Sequence, residues 1–344
     1  MSDWKKFTGK GKPKDINWAG IPIPPWRSFA NNQETDDKET KPLPRGRNFI
    51  APKGAIETVN AALYLRRPIL VTGRPGTGKT TLAYRIAYEL NLGTVLEWPI
   101  NTRSTLQDGL YDYDAIARLQ EAQLDSDKDP EVIIKKMGNY IRLGPLGTAM
   151  YPSEKPRVLL IDEVDKSDID LPNDLLNLLE EGRYNIRELT RLTRQGQPGV
   201  EEIEIETHDD RWVPGLGGKI QCNQFPIVIM TSNGERDFPL PFKRRCLPLF
   251  MPEPTKEQLT QIINSHFPTE PSESSQTTPA AEALIDEFLK KRENGPLATD
   301  QLLNLVFLLK GNSAPEGEEK KELKKRLLTY LTEDEPEDLT GTES

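Results

Sequence analysis

Residues 69–80 read Ile-Leu-Val-Thr-Gly-Arg-Pro-Gly-Thr-Gly-Lys-Thr, a short apolar run that leads into a glycine-rich turn. From Gly73 to Thr80 the string fits the pattern G-x-x-x-x-G-K-[ST], and residues 81–90 after it are helical in character. Glycines let successive backbone N–H groups turn toward an anion, and the following helix points the positive end of its dipole at the same place. The sequence therefore predicts a strand, a phosphate-binding turn and a helix in this order.

The turn gives ligand roles to single residues. Lys79 is expected to reach the β- and γ-phosphates of a nucleoside triphosphate, and the Thr80 hydroxyl to bind Mg²⁺. The other residues of this segment that we expect to contact the nucleotide are Gly73, Arg74, Pro75, Gly76, Thr77, Gly78 and Thr81. The alternative, a glycine-rich turn with an incidental lysine, does not account for the strand before it and the helix after it.

A second apolar run ends in two acidic residues. Residues 158–163 read Val-Leu-Leu-Ile-Asp-Glu, so a buried strand would deliver Asp162 and Glu163 at its carboxyl end, where ligands bind in sheets of this kind. Asp162 suits the coordination shell of the nucleotide's metal, and Glu163 is placed to orient and deprotonate an attacking water. The alternative for Asp162 is a helix N-cap with two carboxylates in the first turn.

Short apolar runs alternate with helical segments from Ala51 onward, which is the pattern of an α/β protein with a parallel sheet and helices on both faces. The predicted strands are 69–72, 95–98, 158–161, 227–231 and 247–250. A helix over 172–181 is predicted to end at Gly182, which suits the left-handed cap position. After residue 252 the strand signals stop and three helical segments follow, the first beginning with a capping box of Thr255 and Gln258.

These patterns divide the chain into four parts. The predicted parts are an extended N-terminal arm (1–50), an α/β nucleotide-binding domain (51–252), a helical lid domain (253–331) and an acidic tail (332–344). Two inserts are expected in the α/β domain, near 101–155 and 190–219, the second as a hairpin or loop. The arm contains tryptophans that could dock on the same chain or on another molecule.

The composition argues against several classes of protein. The 45 Lys and Arg residues against 54 Asp and Glu residues give a net charge of −9, which disfavours a general nucleic-acid binder. Two cysteines and two histidines do not provide a four-ligand zinc site of the usual spacing or a disulfide framework. Residues 1–14 lack the apolar core of a secretory signal, and no run approaches the roughly 20 apolar residues of a membrane span. A cytoplasmic protein without membrane contact is expected.

Two segments carry a resemblance to a known family. Residues 158–167, Val-Leu-Leu-Ile-Asp-Glu-Val-Asp-Lys-Ser, resemble the Walker B motif of AAA+ proteins, and residues 168–182 resemble the MoxR-type subgroup. The resemblance covers roughly residues 51–310 and is most specific in the nucleotide motifs. It implies an AAA+ three-layer αβα sandwich with a small all-α lid, Mg-ATP as cofactor, and ATP hydrolysis in a homo-oligomeric ring, a hexamer being favoured. It also implies a protein client, and von Willebrand A domain proteins are frequent partners of MoxR-like proteins.

The resemblance implies roles for three further polar residues. Asn233, at the end of the fourth predicted strand, looks like sensor 1, which helps to position water beside the γ-phosphate; an ordinary turn residue is the alternative. Residues 238–246 resemble the end of the helix that presents the arginine finger, a guanidinium that stabilises charge on the γ-phosphate and can come from a neighbouring molecule. Arg245 is favoured as the finger, with Arg244 as its rival and plain surface charge as the alternative for both. The family usually has Phe where Cys246 occurs.

Two features are left open by the sequence. Sensor 2 of the family is usually an arginine near the start of a lid helix, but residues 295–301 contain no basic residue. Either Arg292 or a neighbour takes that role, or closure is transmitted by packing alone. In the first insert, Tyr140 and Leu143 are candidates for contact with a pore or a partner, and core packing is the alternative.

The functional hypothesis is a Mg-ATP-hydrolysing AAA+ ATPase that acts as a chaperone-like remodeller of a protein partner. The main alternative is an ATP-dependent signalling switch or scaffold with little turnover. Glu163 argues against the switch because a switch needs no water-activating base, whereas the missing sensor 2 arginine argues for it. A P-loop kinase fits poorly, since Glu163 and Asn233 are placed for water and not for an acceptor hydroxyl. A nucleic-acid motor is supported neither by the net charge nor by a recognisable motif.

Overall fold

The computed structural model describes residues 46–47, 49–124, 130–197, 199–267, 279–310, 315 and 317–329. The predicted acidic tail, and all of the predicted arm except four residues near its end, lie outside the described residues. The described residues form two units. The first contains the residues up to Gly73 together with Lys79–Met251, and the second contains the loop Arg74–Gly78 and the residues from Pro252 onward.

The first unit is built from strands and helices that alternate along the chain. Its strands are β1 (Ile69–Thr72), β2 (Leu96–Pro99), β3 (Tyr111–Tyr113), β4 (Ile141–Leu143), β5 (Val158–Asp162), β6 (Arg183–Asn185), β7 (Glu204–Glu206), β8 (Trp212–Pro214), β9 (Lys219–Gln221), β10 (Ile227–Ser232) and β11 (Leu247–Phe250). Its helices are α1 (Lys53–Leu65), α2 (Lys79–Glu89), α3 (Leu106–Leu110), α4 (Ala115–Leu124), α5 (Pro130–Lys135), α6 (Pro145–Ala149), α7 (Leu171–Glu181), α8 (Arg187–Arg194) and α9 (Leu240–Arg245).

The five predicted strands form one parallel sheet, in the spatial order β11-β1-β10-β5-β2. Their apolar residues fill both faces, as parallel sheets between helices require. Along β5, Val158 and Leu160 join one core while Leu159 and Ile161 join the other. Helices α1 and α2 pack on the first core and α7 on the second, so three layers result. The predicted αβα sandwich is confirmed.

The two predicted inserts build one second sheet. Strand β3 pairs antiparallel with β4, β4 pairs parallel with β7, and β7 pairs antiparallel with β8. The hairpin considered for the second insert corresponds to β7 and β8, and α8 precedes it. Leu143 in β4 is fully buried, whereas the Tyr140 hydroxyl donates a hydrogen bond to Glu121. Leu143 is therefore part of the core, and of the two candidates only Tyr140 reaches the protein surface.

A small antiparallel pair follows the helix that was predicted over 172–181. That helix is α7, and it ends at Gly182 with a φ of 64°, the left-handed value expected for its cap. The backbone N–H of Gly182 donates to the carbonyl of Leu178. Strand β6 starts directly after this glycine and pairs with β9, which returns the chain to the main sheet at β10.

A buried ion pair ties the β7–β8 hairpin to the residue before β5. Arg157 Nη2 lies 3.0 Å from Asp209 Oδ2, and the two side chains are 10% and 11% exposed. The carboxylate also pairs with Arg211 and accepts a hydrogen bond from the Thr207 hydroxyl. Burial alone would raise the pKa of Asp209, but Arg157 and the other partners outweigh it, so the pKa lies below its ordinary value of 3.8.

Asp209→Ala is expected to lower the free energy of unfolding by about 3–5 kcal/mol, because it leaves the Arg157 guanidinium buried without its partner. Since the folded state depresses the pKa of Asp209, the carboxylate stabilises the fold above its unfolded pKa and loses this effect as pH falls through the folded pKa. Urea unfolding of wild type and variant at about pH 7 and about pH 3 measures both effects, and the difference between them should shrink at the lower pH.

Asp210→Asn is the matched control for this prediction, because asparagine removes the charge and tolerates the left-handed backbone of Asp210, whose φ is 60°. Asp210 lies in the same turn and pairs with Arg142, but the two side chains are 76% and 52% exposed. An exposed pair contributes about 0–1 kcal/mol. Equal losses in the free energy of unfolding for the two substitutions would show that the buried pair stabilises the fold no more than the exposed pair does.

The second unit contains four helices, α10 (Lys256–His266), α11 (Pro279–Arg292), α12 (Thr299–Lys310) and α13 (Gly317–Leu327). Helix α10 begins with the predicted capping box, in which Thr255 and Gln258 exchange side chain to backbone hydrogen bonds. The helices share an apolar core centred on Phe288 and Leu302. The predicted helical domain is confirmed, while α13 was not predicted because none of its residues is fully buried. None of the described helices is long and apolar enough to cross a bilayer.

Candidate functional site

The predicted phosphate-binding loop connects β1 to α2 and needs glycine at its centre. Gly76 has a φ of 74°, a left-handed value that residues with a Cβ rarely adopt. A Cβ there would also lie 2.5 Å from the Cβ of Ala298, so the loop packs closely on the residue before α12. Thr77 is buried and donates from Oγ1 to the carbonyl of Arg74. Of the other members of the segment, Gly73 is buried, Arg74 and Pro75 are exposed, and Gly78, Thr80 and Thr81 are partly buried.

Lys79 is the first residue of α2 and is buried. Its ammonium group donates to the carbonyl of Gly73 and to Oδ1 of Asn233, both at 2.8 Å. Burial lowers the pKa of Lys79, although nearby carboxylates, of which Asp162 acts most strongly, oppose the shift. A buried cation of this kind favours a ligand of high negative charge, such as a polyphosphate.

Asp162 ends β5 beside the first turn of α2. Its Oδ1 accepts hydrogen bonds from the hydroxyls of Thr80 at 3.0 Å and Thr231 at 2.6 Å. Hydroxyl and carboxylate oxygens are the hard ligands that Mg²⁺ prefers, and Mg²⁺ commonly uses only one or two of them together with phosphate and water. The adjacent oxygens of Thr80 and Asp162 therefore fit this ion.

Glu163 follows in a left-handed conformation, with a φ of 59°. Such a backbone is unfavourable for a residue with a side chain and is more frequent at active sites than elsewhere. Oε1 accepts from Asn233 Nδ2 at 3.3 Å and Oε2 from Lys166 Nζ at 2.8 Å, while the backbone N–H donates to the Thr231 hydroxyl. The hydrogen bond to Glu163 raises the pKa of Lys166.

The structure thus brings together five of the predicted residues, Lys79, Thr80, Asp162, Glu163 and Asn233, which we call the Lys79 cluster. Asn233 is central because its amide contacts both the ammonium of Lys79 and the carboxylate of Glu163. Thr231 was not selected from the sequence, although it joins Asp162 to Glu163. Its position two residues before Asn233, on the same edge of β10, was the available signal.

Comparison with protein families matches residues 68–246 to the AAA domain of the dynein-related subfamily. This match spans more than half of the 344 residues. The chain belongs to this AAA family. No curated protein matches the chain. One similar solved structure is NtrX from Brucella abortus in complex with ADP, with 14% sequence identity and a TM-score of 0.38 over 82% of this chain and 54% of the NtrX chain.

The two candidate finger residues of the AAA domain lie at the end of α9. Arg245 Nε is 2.5 Å from Glu180 Oε1 on α7, and Arg244 is exposed. Among the described residues, neither arginine has an ion pair with the Lys79 cluster of its own chain. The guanidinium of Arg67 donates to the carbonyls of Arg244 and Arg245, so it caps the helix that carries both candidates. Arg67 was not selected from the sequence, and no local pattern marks it.

The AAA lid position that lacks a basic residue is occupied by small and polar side chains. Ala298 sits where the loop glycine Gly76 packs, and its backbone N–H is capped by Gln301. Arg292, the candidate substitute for sensor 2, pairs with Glu253 at 3.5 Å, and Glu253 also pairs with Arg74 of the predicted phosphate-binding loop at 2.9 Å. The loop is thus linked to the lid helices both by packing and by a chain of three charges.

Proposed function

We propose that this AAA protein binds Mg-ATP and hydrolyses it. The observation that carries the proposal is the Lys79 cluster, in which a buried cation, two hard oxygen ligands and a carboxylate that can act as a base are joined by hydrogen bonds. The family match supports nucleotide binding as a general property of the chain. The contact between Asn233 and Glu163 supports hydrolysis in particular, because a carboxylate held beside the phosphate site can activate water.

Each residue has one task in the proposed mechanism. The loop from Gly73 to Gly78 and the ammonium of Lys79 hold the phosphates, while Thr80 and Asp162 would hold Mg²⁺, which supplies charge neutralisation when bound. Asn233 orients the Glu163 carboxylate through Oε1. Glu163 takes a proton from the water that attacks the γ-phosphorus, the bond to the β-phosphate oxygen breaks, and ADP and phosphate are released.

We further propose that the chain works in a homo-oligomeric ring, a hexamer being favoured. Arg245 is partly exposed, and among the described residues it has no ion pair with the Lys79 cluster of its own chain; both features support delivery of this side chain to a neighbouring subunit. From the resemblance to MoxR-type proteins, we propose that the ring is a cytoplasmic, chaperone-like remodeller of a protein client. A von Willebrand A domain protein is the first candidate for this client. These finer assignments rest on the sequence resemblance.

One observation favours the alternative of a nucleotide switch with little turnover. Lys166 occupies Oε2 of Glu163, and this ion pair competes for the carboxylate oxygen that would receive the proton. Both side chains are about 40% exposed, however, and ion pairs at such exposure contribute only about 0–1 kcal/mol. The pair is therefore weak enough to open during turnover.

Lys79→Ala tests nucleotide binding separately from ATP hydrolysis. The substitution removes a charge-assisted contact of about 1.5–3 kcal/mol, so the Kd for Mg-ATP should rise about 10- to 100-fold. Equilibrium titration with a fluorescent ATP analogue measures the Kd, and phosphate release by the wild type measures turnover. Lys155→Ala, at an exposed lysine, is the control. An unchanged Kd for Lys79→Ala would refute the assigned loop, and absence of phosphate release by concentrated wild type with its partner would refute hydrolysis.

A further inference from the structure

The turn that follows β10 holds Asn233 in place through its backbone. The backbone N–H groups of Asn233 and Glu235 both donate to Oδ2 of Asp165, at 3.0 and 3.1 Å. Between them, the N–H of Gly234 donates to the Ser232 hydroxyl. Three consecutive N–H groups are therefore bound, and two of them depend on one carboxylate oxygen.

Asp165 is buried in the 3₁₀ turn Val164–Lys166, which follows the left-handed residue Glu163. Its second oxygen, Oδ1, is also buried and has no hydrogen-bond partner among the described residues. A buried carboxylate with only one hydrogen-bonded oxygen is unfavourable for folding, so a buried Asp165 must provide contacts that offset this cost. The two N–H groups of the Asn233 turn are the contacts that this carboxylate provides.

We propose that Asp165 is the positioning residue for sensor 1: it fixes the backbone of Asn233, and through it the amide that joins Lys79 to Glu163. This inference rests on the proposed function, since Asn233 matters for turnover only if water is activated at Glu163. Asp165 itself acts through Asn233. Its loss should leave the Thr80–Asp162 pair in place, because that hydrogen bond joins two other side chains.

Asp165→Ala should therefore change two quantities. Amide hydrogen exchange at Asn233 and Glu235, measured without nucleotide, should accelerate about 10- to 100-fold, as expected for loss of charge-assisted hydrogen bonds. The kcat for ATP should fall about tenfold or more, while KM stays within about threefold, because Thr80, Asp162 and the Lys79 ammonium itself are retained.

Asp165→Asn is the conservative variant. The amide oxygen of Asn can accept the same two N–H groups, but neutral hydrogen bonds are about half as strong as charge-assisted ones. Exchange at the two amides should accelerate by a smaller factor than in Asp165→Ala, and kcat should be largely retained. If Asp165→Ala does not fold, Asp165→Asn decides, and unchanged exchange at both amides would overturn the proposal.

Ser167→Ala is the control for damage to the 3₁₀ turn. The Ser167 hydroxyl is buried and lies within hydrogen-bond distance of the carbonyls of Val164 and Asp168, to either of which it can donate its one proton, and no hydrogen bond joins it to the Asn233 turn in the described structure. Its removal should leave kcat and the exchange of both amides unchanged. Equal loss of kcat in Ser167→Ala would overturn the positioning role. If the wild type hydrolyses no ATP, the proposed function fails, and the exchange data still decide whether Asp165 holds the turn.

Discussion

Glu163→Gln should lower the rate of ATP hydrolysis by about 10²- to 10⁴-fold, which is the usual contribution of a positioned general base. Glutamine keeps the shape of the side chain and an oxygen that can accept from Asn233 Nδ2, but it cannot take a proton from water. The ion pair with Lys166 is also lost, but at its exposure this costs little. Nucleotide affinity should therefore stay within about threefold of the wild type.

Single-turnover phosphate release and equilibrium nucleotide binding measure the two halves of this prediction. Glu235→Gln is the matched control, because it makes the same chemical change on an exposed side chain next to the site. The backbone N–H of Glu235 still reaches Asp165 in that variant. If Glu163→Gln hydrolyses ATP as fast as Glu235→Gln does, Glu163 is not the base.

The main sheet could be predicted because its central strands β1, β5 and β10 are buried on both faces and read as continuous apolar runs, while the edge strands β2 and β11 alternate between buried and exposed residues. The predicted strands agree with the observed ones to within a residue at each end: 158–161 became Val158–Asp162, and 95–98 became Leu96–Pro99. Lys79 and Thr80 followed from the glycine-rich motif between β1 and α2, and Asp162 followed from its place at the end of β5. Parallel strands bring their carboxyl ends to one edge, so sequence order was enough to bring these residues together.

The second sheet could not be predicted from local patterns. Its strands have only three residues each, and Arg142 in β4 pairs with Glu206 in β7, which lies more than 60 residues away. Nothing in a three-residue segment specifies such a partner. The pairing depends instead on tertiary contacts such as that between Arg157 and Asp209.

The positioning residues escaped prediction for a related reason. Asp165 and Lys166 lie in the segment that resembles Walker B. Their contacts depend on the left-handed backbone at Glu163, and the sequence does not predict this conformation. Arg67 reaches the end of α9, far along the chain, through three backbone carbonyls. Side chains that hydrogen-bond to backbone groups have no sequence motif for their partner, because almost every residue has a backbone carbonyl and an N–H group.

Arg245→Ala should reduce ATP hydrolysis by about 10³- to 10⁵-fold if this residue is the arginine finger, since the guanidinium stabilises charge that develops only in the transition state. Nucleotide affinity should change little for the same reason. The lost pair with Glu180 is exposed, so stability should fall by at most about 1 kcal/mol. Arg244→Ala is the adjacent control, and the larger loss of phosphate release in one of the two variants identifies the finger.

Mixing two inactive variants locates the finger within the assembly. In a ring, a subunit with Arg245→Ala keeps Glu163 and one with Glu163→Gln keeps Arg245, so an interface can combine the intact half of each. If the finger acts on the neighbouring subunit, random mixing in equal amounts should give a complete site at about a quarter of the interfaces, and phosphate release should recover accordingly. A finger that serves its own subunit gives no complete site in any mixture. Recovery on mixing, measured against each variant alone at the same total concentration, therefore distinguishes a site shared between subunits from one contained in a single chain.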